Sequence, residues 1–366
     1  MDFTKLTDYL HTLEARYGVP GLDIKITKGY DTVYRCMLGC SDYGKSRPVS
    51  ADDLYNIFSC TKVTTMVGVM QLVEQGKLGL MDPLEKYLPE FASMRYAADF
   101  PIGKFPIAWP TEQSELRQAK NKIYIHDLMS MTAGLSYDVA AKPIRELVEA
   151  TGGQANTRQI VGAMAKMPLL CEPGTRYSYA LGHDVLAAVI EVITGKTFGQ
   201  YMKESVFEPL GITQMFYQVP ESQQGRLSAQ YAKDWNTGEI KPSLDMSYRI
   251  TEHYESGGAG LAATVDDYSK VLEALANGGV GANGSRILKS QSIDTMRRNW
   301  LTEQELADFS KTGKVGYGYG LGVRTLIDGT RSRSPVGEFG WDGAAGAYAL
   351  IDPENRISIF YAHEIL

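Results

Sequence analysis

The stretch FSCTKVTTMVGVMQLVEQGKLGL, residues 58–80, decides how the rest of the chain is read. Val63, Met66, Val67 and Met70 recur at i, i+3, i+4 and i+7, so one face of a helix is expected to be buried. Gly76 is placed to end that helix. Ser59 and Lys62 stand three residues apart where it begins, which puts both on one face, a turn apart. A helix N-terminus offers free N–H groups and positive partial charge to a nucleophile. A serine hydroxyl is a weak nucleophile and needs a base. A lysine can be that base only when neutral, which requires its pKa to fall by several units through burial or neighbouring cations. This SxxK element is the only one in the chain.

Outward from this helix, the two chain ends read as strands. Residues 22–28 alternate like a half-buried strand, and 32–38 follow across Gly29 as the second arm of a hairpin. A helix over 3–17 precedes them and stops at Gly18 and Pro20. Residues 317–327, 344–351 and 356–362 also read as strands, the last two joined by the turn DPEN at 352–355. Between the ends the pattern is mostly helix and loop, with helical segments at 123–131, 158–166, 183–194, 198–205 and 265–277. The expected fold is α/β: an antiparallel sheet from both termini, flanked by helices, with a large inserted all-helical domain. Residues 1–80 and 291–366 form the α/β part, and 81–290 the mainly helical part. Residues 97–120 form a long aromatic loop, with Phe100, Phe105 and Trp109 near Pro101, Pro106 and Pro110.

Composition excludes several classes. The 366 residues are 44% hydrophobic and 22% charged, with a net charge of −6, which describes a globular protein and disfavours nucleic-acid binding. Cys36, Cys40, Cys60 and Cys171 form no CxxC pair and no metal-ligand spacing with histidine, so reduced thiols are expected. The N-terminus lacks a basic segment followed by an apolar run, and no stretch of about 18 apolar residues occurs, so a cytoplasmic location without membrane contact is expected. GYGYGLG (316–322) lacks the strand–turn–helix context of a phosphate loop, and ITGKT (193–197) lacks the leading glycine of a Walker motif. GxSxG is absent.

Five ordered blocks place the SxxK element in a family. Residues 58–91, 123–135 (IYIHDLMSMTAGL), 172–198 (EPGTRYSYALGHDVLAAVIEVITGKTF), 257–279 and 340–362 (GWDGAAGAYALIDPENRISIFYA) together resemble the serine β-lactamase and penicillin-binding-protein superfamily, nearest class C β-lactamases and family VIII carboxylesterases. The resemblance implies Ser59 as nucleophile, Lys62 as base and Tyr177 as the proton-relaying tyrosine of a YxN motif. It implies an oxyanion hole from the backbone N–H groups of Ser59 and Ala344. Two departures stand out. Tyr179 occupies the position of the motif's asparagine, and Trp341, in Gly340-Trp341-Asp342-Gly343, takes the place of the lysine of KTG. Lys311-Thr312-Gly313 spells KTG one element too early and reads as a loop coincidence.

Tyr179, Trp341 and Gly343 are therefore expected to shape the substrate site. Trp341 supplies an apolar wall without a cation, which points to small or medium carboxylic esters; Arg331 and Arg333 could compensate. His126, His183 and His253 are expected to be structural. No metal or cofactor is implied. The expected function is ester hydrolysis through an acyl-enzyme, with a small ester or amide as the partner molecule. The alternatives are a β-lactamase or D-Ala-D-Ala carboxypeptidase, and a non-catalytic binding protein of the same fold.

Overall fold

A computed structural model describes residues 1–102, 108–243 and 248–366. The expected N-terminal helix is two pieces, α1 (Thr4–His11) and α2 (Leu13–Tyr17). They break at Thr12, whose hydroxyl donates to the Tyr9 carbonyl at 2.7 Å. Gly18, at φ +77°, closes the second piece in the left-handed conformation that glycine adopts without strain. Strands β1 (Gly21–Lys28) and β2 (Asp31–Gly39) form the expected hairpin.

The C-terminal third supplies five more strands: β3 (Tyr317–Tyr319), β4 (Arg324–Leu326), β5 (Phe339–Asp342), β6 (Tyr348–Asp352) and β7 (Ile357–Ala362). The single strand expected over 317–327 is thus a hairpin, reversed through Gly320, whose N–H donates to the Val323 carbonyl at 2.7 Å. Strand β5 is one the sequence pattern did not reveal. The strands make a seven-stranded antiparallel sheet in the order β3-β4-β5-β6-β7-β1-β2, so β7 pairs with β1 and joins the two chain ends, with β2 at the edge beyond. Asp352 shapes the DPEN turn by accepting from the backbone N–H groups of Glu354 and Asn355.

Leu22, Ile24 and Ile26 face α1 and α2, where they pack with Leu10 and Leu13. On the opposite face, polar residues do the docking. Lys25 and Arg35 pair with Asp266 at 3.0 and 2.9 Å, on the helix Val265–Ala276. Tyr268 of that helix meets Phe360 of β7 with ring centroids 4.3 Å apart. This helix lies within the stretch 81–290 yet covers the sheet, and one hydrophobic core runs from it through the helical part.

The SxxK helix, α3 (Thr61–Glu74), is buried on every side from Thr61 to Leu72, more than the single apolar face its spacing predicts. It is wedged between β5 and the helices Gly182–Thr194 and Phe198–Met202. Burying each such aliphatic side chain contributes about 1.5–3 kcal/mol, so the element carrying the site is held rigidly. The long loop over 97–120 is closed at its base by pairing of Arg95–Ala97 with Leu116–Gln118. Trp109 is buried and donates its indole N–H to the Asp138 carbonyl at 2.8 Å. Phe105 and Pro106 lie outside the described residues.

Candidate active site

Ser59 lies in a 3₁₀ turn, Phe58–Cys60, that leads into α3. Phe58 has φ +43°, an uncommon and strained conformation for a bulky residue. The turn is pinned from outside: Tyr55–Asn56 pairs with Ala262–Ala263, and the Ile57 N–H donates to the Leu261 carbonyl at 3.0 Å. The same 255–263 segment reaches Lys62, because the Gly258 carbonyl accepts from Nζ at 2.7 Å. Backbone on both sides of the helix start is thus tied together around the serine and the lysine.

Lys62 Nζ lies 3.1 Å from Ser59 Oγ and 3.1 Å from the Tyr137 hydroxyl. The amine is fully buried, and burial pulls its pKa down to about 7, partly opposed by Asp184. The same side chain that would be a spectator on a surface is therefore half neutral near physiological pH. Asp184 sits just beyond Gly258: a Cβ added to Gly258 would stand 2.6 Å from Asp184 Oδ2 and 3.5 Å from Lys62 Nζ. Asp184 is held by the hydroxyls of Tyr254 and Ser256 at 2.7 and 2.6 Å.

The tyrosine on Ser59 is Tyr179, not Tyr177. The Tyr179 hydroxyl donates to Ser59 Oγ at 2.7 Å and accepts from the Trp341 indole N–H at 3.0 Å. Its ring stacks between Tyr137 at 5.2 Å and Trp341 at 5.5 Å, and Lys62 Nζ stands 4.7 Å above its centre. Burial pushes its pKa up, so the phenol stays protonated. The relay expected of Tyr177 is corrected by this geometry. Tyr177 turns its ring edge-on to Phe309 and Tyr319 at 5.1 and 5.5 Å. Its buried hydroxyl has no hydrogen-bond partner among the described residues. Of these two tyrosines two residues apart, only Tyr179 faces the serine.

Ser59, Tyr177, Tyr179, Trp341, Gly343 and Ala344 line one cavity of about 260 Å³, with Phe58, Tyr248, Thr312, Lys314 and Asp342 completing the wall. The N–H groups of Ser59 and Ala344 donate to no backbone carbonyl among the described residues. Gly343 brings the loop after β5 against the serine turn. A Cβ there would stand 2.4 Å from the Ile57 carbonyl oxygen, so only glycine fits. The Cys60 thiol packs between helix and sheet, donating to the Trp341 carbonyl at 3.4 Å.

The Lys311–Gly313 turn, expected to be coincidental, borders the cavity through Thr312. Lys311 itself pairs with Asp308. The cavity also holds a cation that was not expected: Lys314, whose Nζ lies 5.2 Å above the Trp341 ring and pairs with Asp342. Arg331 and Arg333 are not among the lining residues. His183 is buried, and burial lowers its pKa well below the usual histidine range. His126 stacks on Tyr124 and Trp300, and His253 bonds Gln154 at 2.8 Å. Sequence reasoning did not single out Tyr137, Gly258, Asp184 or Lys314; each arrives from a distant segment with no spacing that signals it.

The Beta-lactamase family model matches residues 6–364. The chain belongs to the Beta-lactamase family. Among relatives of this family, a protein called lovastatin esterase from Penicillium rubens is 28% identical over 338 residues, covering 86% of this chain and 80% of that one. Esterase EstB of Burkholderia gladioli is 25% identical over 358 residues, covering 90% of this chain and 82% of its own. The solved structure of EstCE1, described as a hydrolase with promiscuous acyltransferase activity, superposes with a TM-score of 0.79 at 23% identity, over 99% of this chain and 93% of that one. The Beta-lactamase-family fold and these relatives make the chain a serine hydrolase of β-lactamase fold. No helix among the described residues is long and apolar enough to cross a membrane.

Proposed function

We propose that the protein hydrolyses small to medium carboxylic esters through an acyl-enzyme on Ser59. The observation that carries this reading is the contact set of Ser59 Oγ, with Lys62 Nζ at 3.1 Å and the Tyr179 hydroxyl at 2.7 Å. Neutral Lys62 takes the Ser59 proton as Oγ attacks the carbonyl carbon. The carbonyl π pair moves onto oxygen, where the N–H groups of Ser59 and Ala344 stabilise it. Collapse re-forms the carbonyl and breaks the bond to the alkoxy group. That leaving oxygen receives a proton from the Lys62 ammonium through the Tyr179 hydroxyl. Water then attacks the acyl-serine by the same proton route in reverse.

The preference for esters rests on Trp341 and on size. Trp341 spends its single donor on Tyr179, so it holds the relay tyrosine and presents an aromatic wall. A cavity of about 260 Å³ is small for a ligand site and suits a short acyl group. The names of relatives, esterase among them, agree with this chemistry. The mildly acidic composition and the apolar site favour a small-molecule partner rather than nucleic acid. The test is a rate comparison of p-nitrophenyl butyrate and nitrocefin with the wild type and Ser59→Ala. Faster ester cleavage that vanishes in Ser59→Ala supports the reading. Faster nitrocefin cleavage means that the strand tryptophan does not disfavour β-lactams, and the ester assignment fails.

A further inference from the structure

We propose that the cavity selects esters that carry a free carboxylate, and that Lys314 is the group that pairs with it; this rests on the ester-hydrolase reading above. Lys314 lines the same cavity as Ser59, with its side chain one-quarter exposed. Its ammonium stands 5.2 Å over the ring of Trp341, whose N–H reaches the tyrosine on Ser59. One indole therefore separates this cation from the relay hydroxyl.

Lys314 is paired with Asp342, but Asp342 does not depend on it. Arg324 Nη1 holds the same carboxylate at 2.9 Å. That arginine is almost fully buried, donates to the Ala349 carbonyl at 3.1 Å and stacks over Tyr348 at 4.5 Å, so it stays in place. Lys314 can turn to a substrate carboxylate while Asp342 keeps a partner. The exchange leaves no buried charge unpaired, which is the usual cost of breaking such a pair.

The next turn repeats the arrangement. Asp308 is shared by Arg176 at 2.6 Å and Lys311 at 2.9 Å. Tyr177 and Thr312, which follow Arg176 and Lys311 in the chain, both line the cavity. Of the charged groups in these two clusters Lys314 and Asp342 line the cavity, while Arg176 and Lys311 each stand one residue from its lining. An ammonium on a partly exposed wall makes a charge-assisted contact, so a loss of about tenfold in discrimination is expected on its removal.

The experiment compares two acidic esters with neutral counterparts. Mono-p-nitrophenyl glutarate carries the carboxylate on the acyl half and is set against p-nitrophenyl butyrate. The butyrate ester of 4-hydroxybenzoate carries it on the leaving half and is set against phenyl butyrate. For each pair the ratio of kcat/KM, acidic over neutral, is measured in wild type, Lys314→Met, Lys314→Arg and Lys311→Met. The proposal expects at least one ratio to fall about tenfold in Lys314→Met and to recover in Lys314→Arg. The pair that responds identifies which half bears the charge. Unchanged ratios in Lys314→Met, or an equal fall in Lys311→Met, overturn it, the latter by showing only a general field. Loss of Ser59-dependent butyrate cleavage would instead sink the ester-hydrolase reading.

Discussion

Tyr177 and Tyr179 offer a direct test of the mechanism, because replacing either by phenylalanine removes one oxygen and nothing else. In Tyr179→Phe, Ser59 Oγ loses a donor at 2.7 Å and the leaving group loses its proton route. Positioned proton transfer of this kind contributes roughly 10²–10⁴-fold, so kcat/KM for p-nitrophenyl butyrate is expected to fall by about that factor. The buried Trp341 N–H also loses its acceptor at 3.0 Å, which costs about 1–3 kcal/mol of stability and lowers the Tm. Tyr177→Phe removes a hydroxyl with no partner among the described residues, while its ring keeps the contacts with Phe309 and Tyr319. Deleting an unsatisfied buried polar group is neutral or stabilising, so kcat/KM should change by less than about threefold and the Tm should hold or rise. Both variants are measured by initial rates at pH 8 and by thermal unfolding. Equal losses in the two variants, or more than a tenth of the activity left in Tyr179→Phe, would refute the assignment of the relay to Tyr179.

Other outcomes follow from the same geometry. The activity should rise with pH through an acid limb near 7, because Lys62 acts only when neutral and burial holds its pKa at about 7. Asp184→Asn removes the charge that favours the ammonium, so the limb in a kcat/KM profile should move to lower pH. The other groups near Lys62, the buried Cys60 thiol and His183, stay neutral there, since burial raises the first and lowers the second. A limb that stays put would mean that Asp184 only braces the 256–260 segment. Gly343→Ala drives a methyl to 2.4 Å from the Ile57 carbonyl oxygen, so the loop bearing Ala344 must shift. Its kcat should fall at least about 10²-fold, the scale of losing one oxyanion donor, with KM changing far less; normal turnover would show that this loop does not hold the oxyanion. Cys60, fully buried and held as the thiol, should resist iodoacetamide in the folded protein and react after unfolding in urea. Fast labelling of the native protein at Cys60 would contradict that packing.

Local spacing carried the parts of this protein that depend on neighbours in sequence. Ser59 and Lys62 are three residues apart on a helix start, so helix geometry alone places them together. The hairpin of β1 and β2 and the turn at Asp352 are likewise short-range, and alternation and turn chemistry reveal them. Strand β5 escaped because its four residues, Phe339–Asp342, include a glycine and are largely buried on both faces, so no alternation marks them. The second half of the site depends on contacts between distant segments. Tyr177 and Tyr179 share one motif, and the choice between them was made by Phe309 and Tyr319 taking one ring while Tyr137 and Trp341 took the other. Lys314 looks like an ordinary loop lysine until folding lays it over Trp341, beside an Asp342 that Arg324 already neutralises. Ordered blocks along the chain were enough to reveal the family, and one helix turn was enough to set Ser59 beside Lys62. Which tyrosine faces the serine, and that a lysine lines the cavity, was settled only on folding, because burial and orientation come from residues that meet only when the sheet closes over α3.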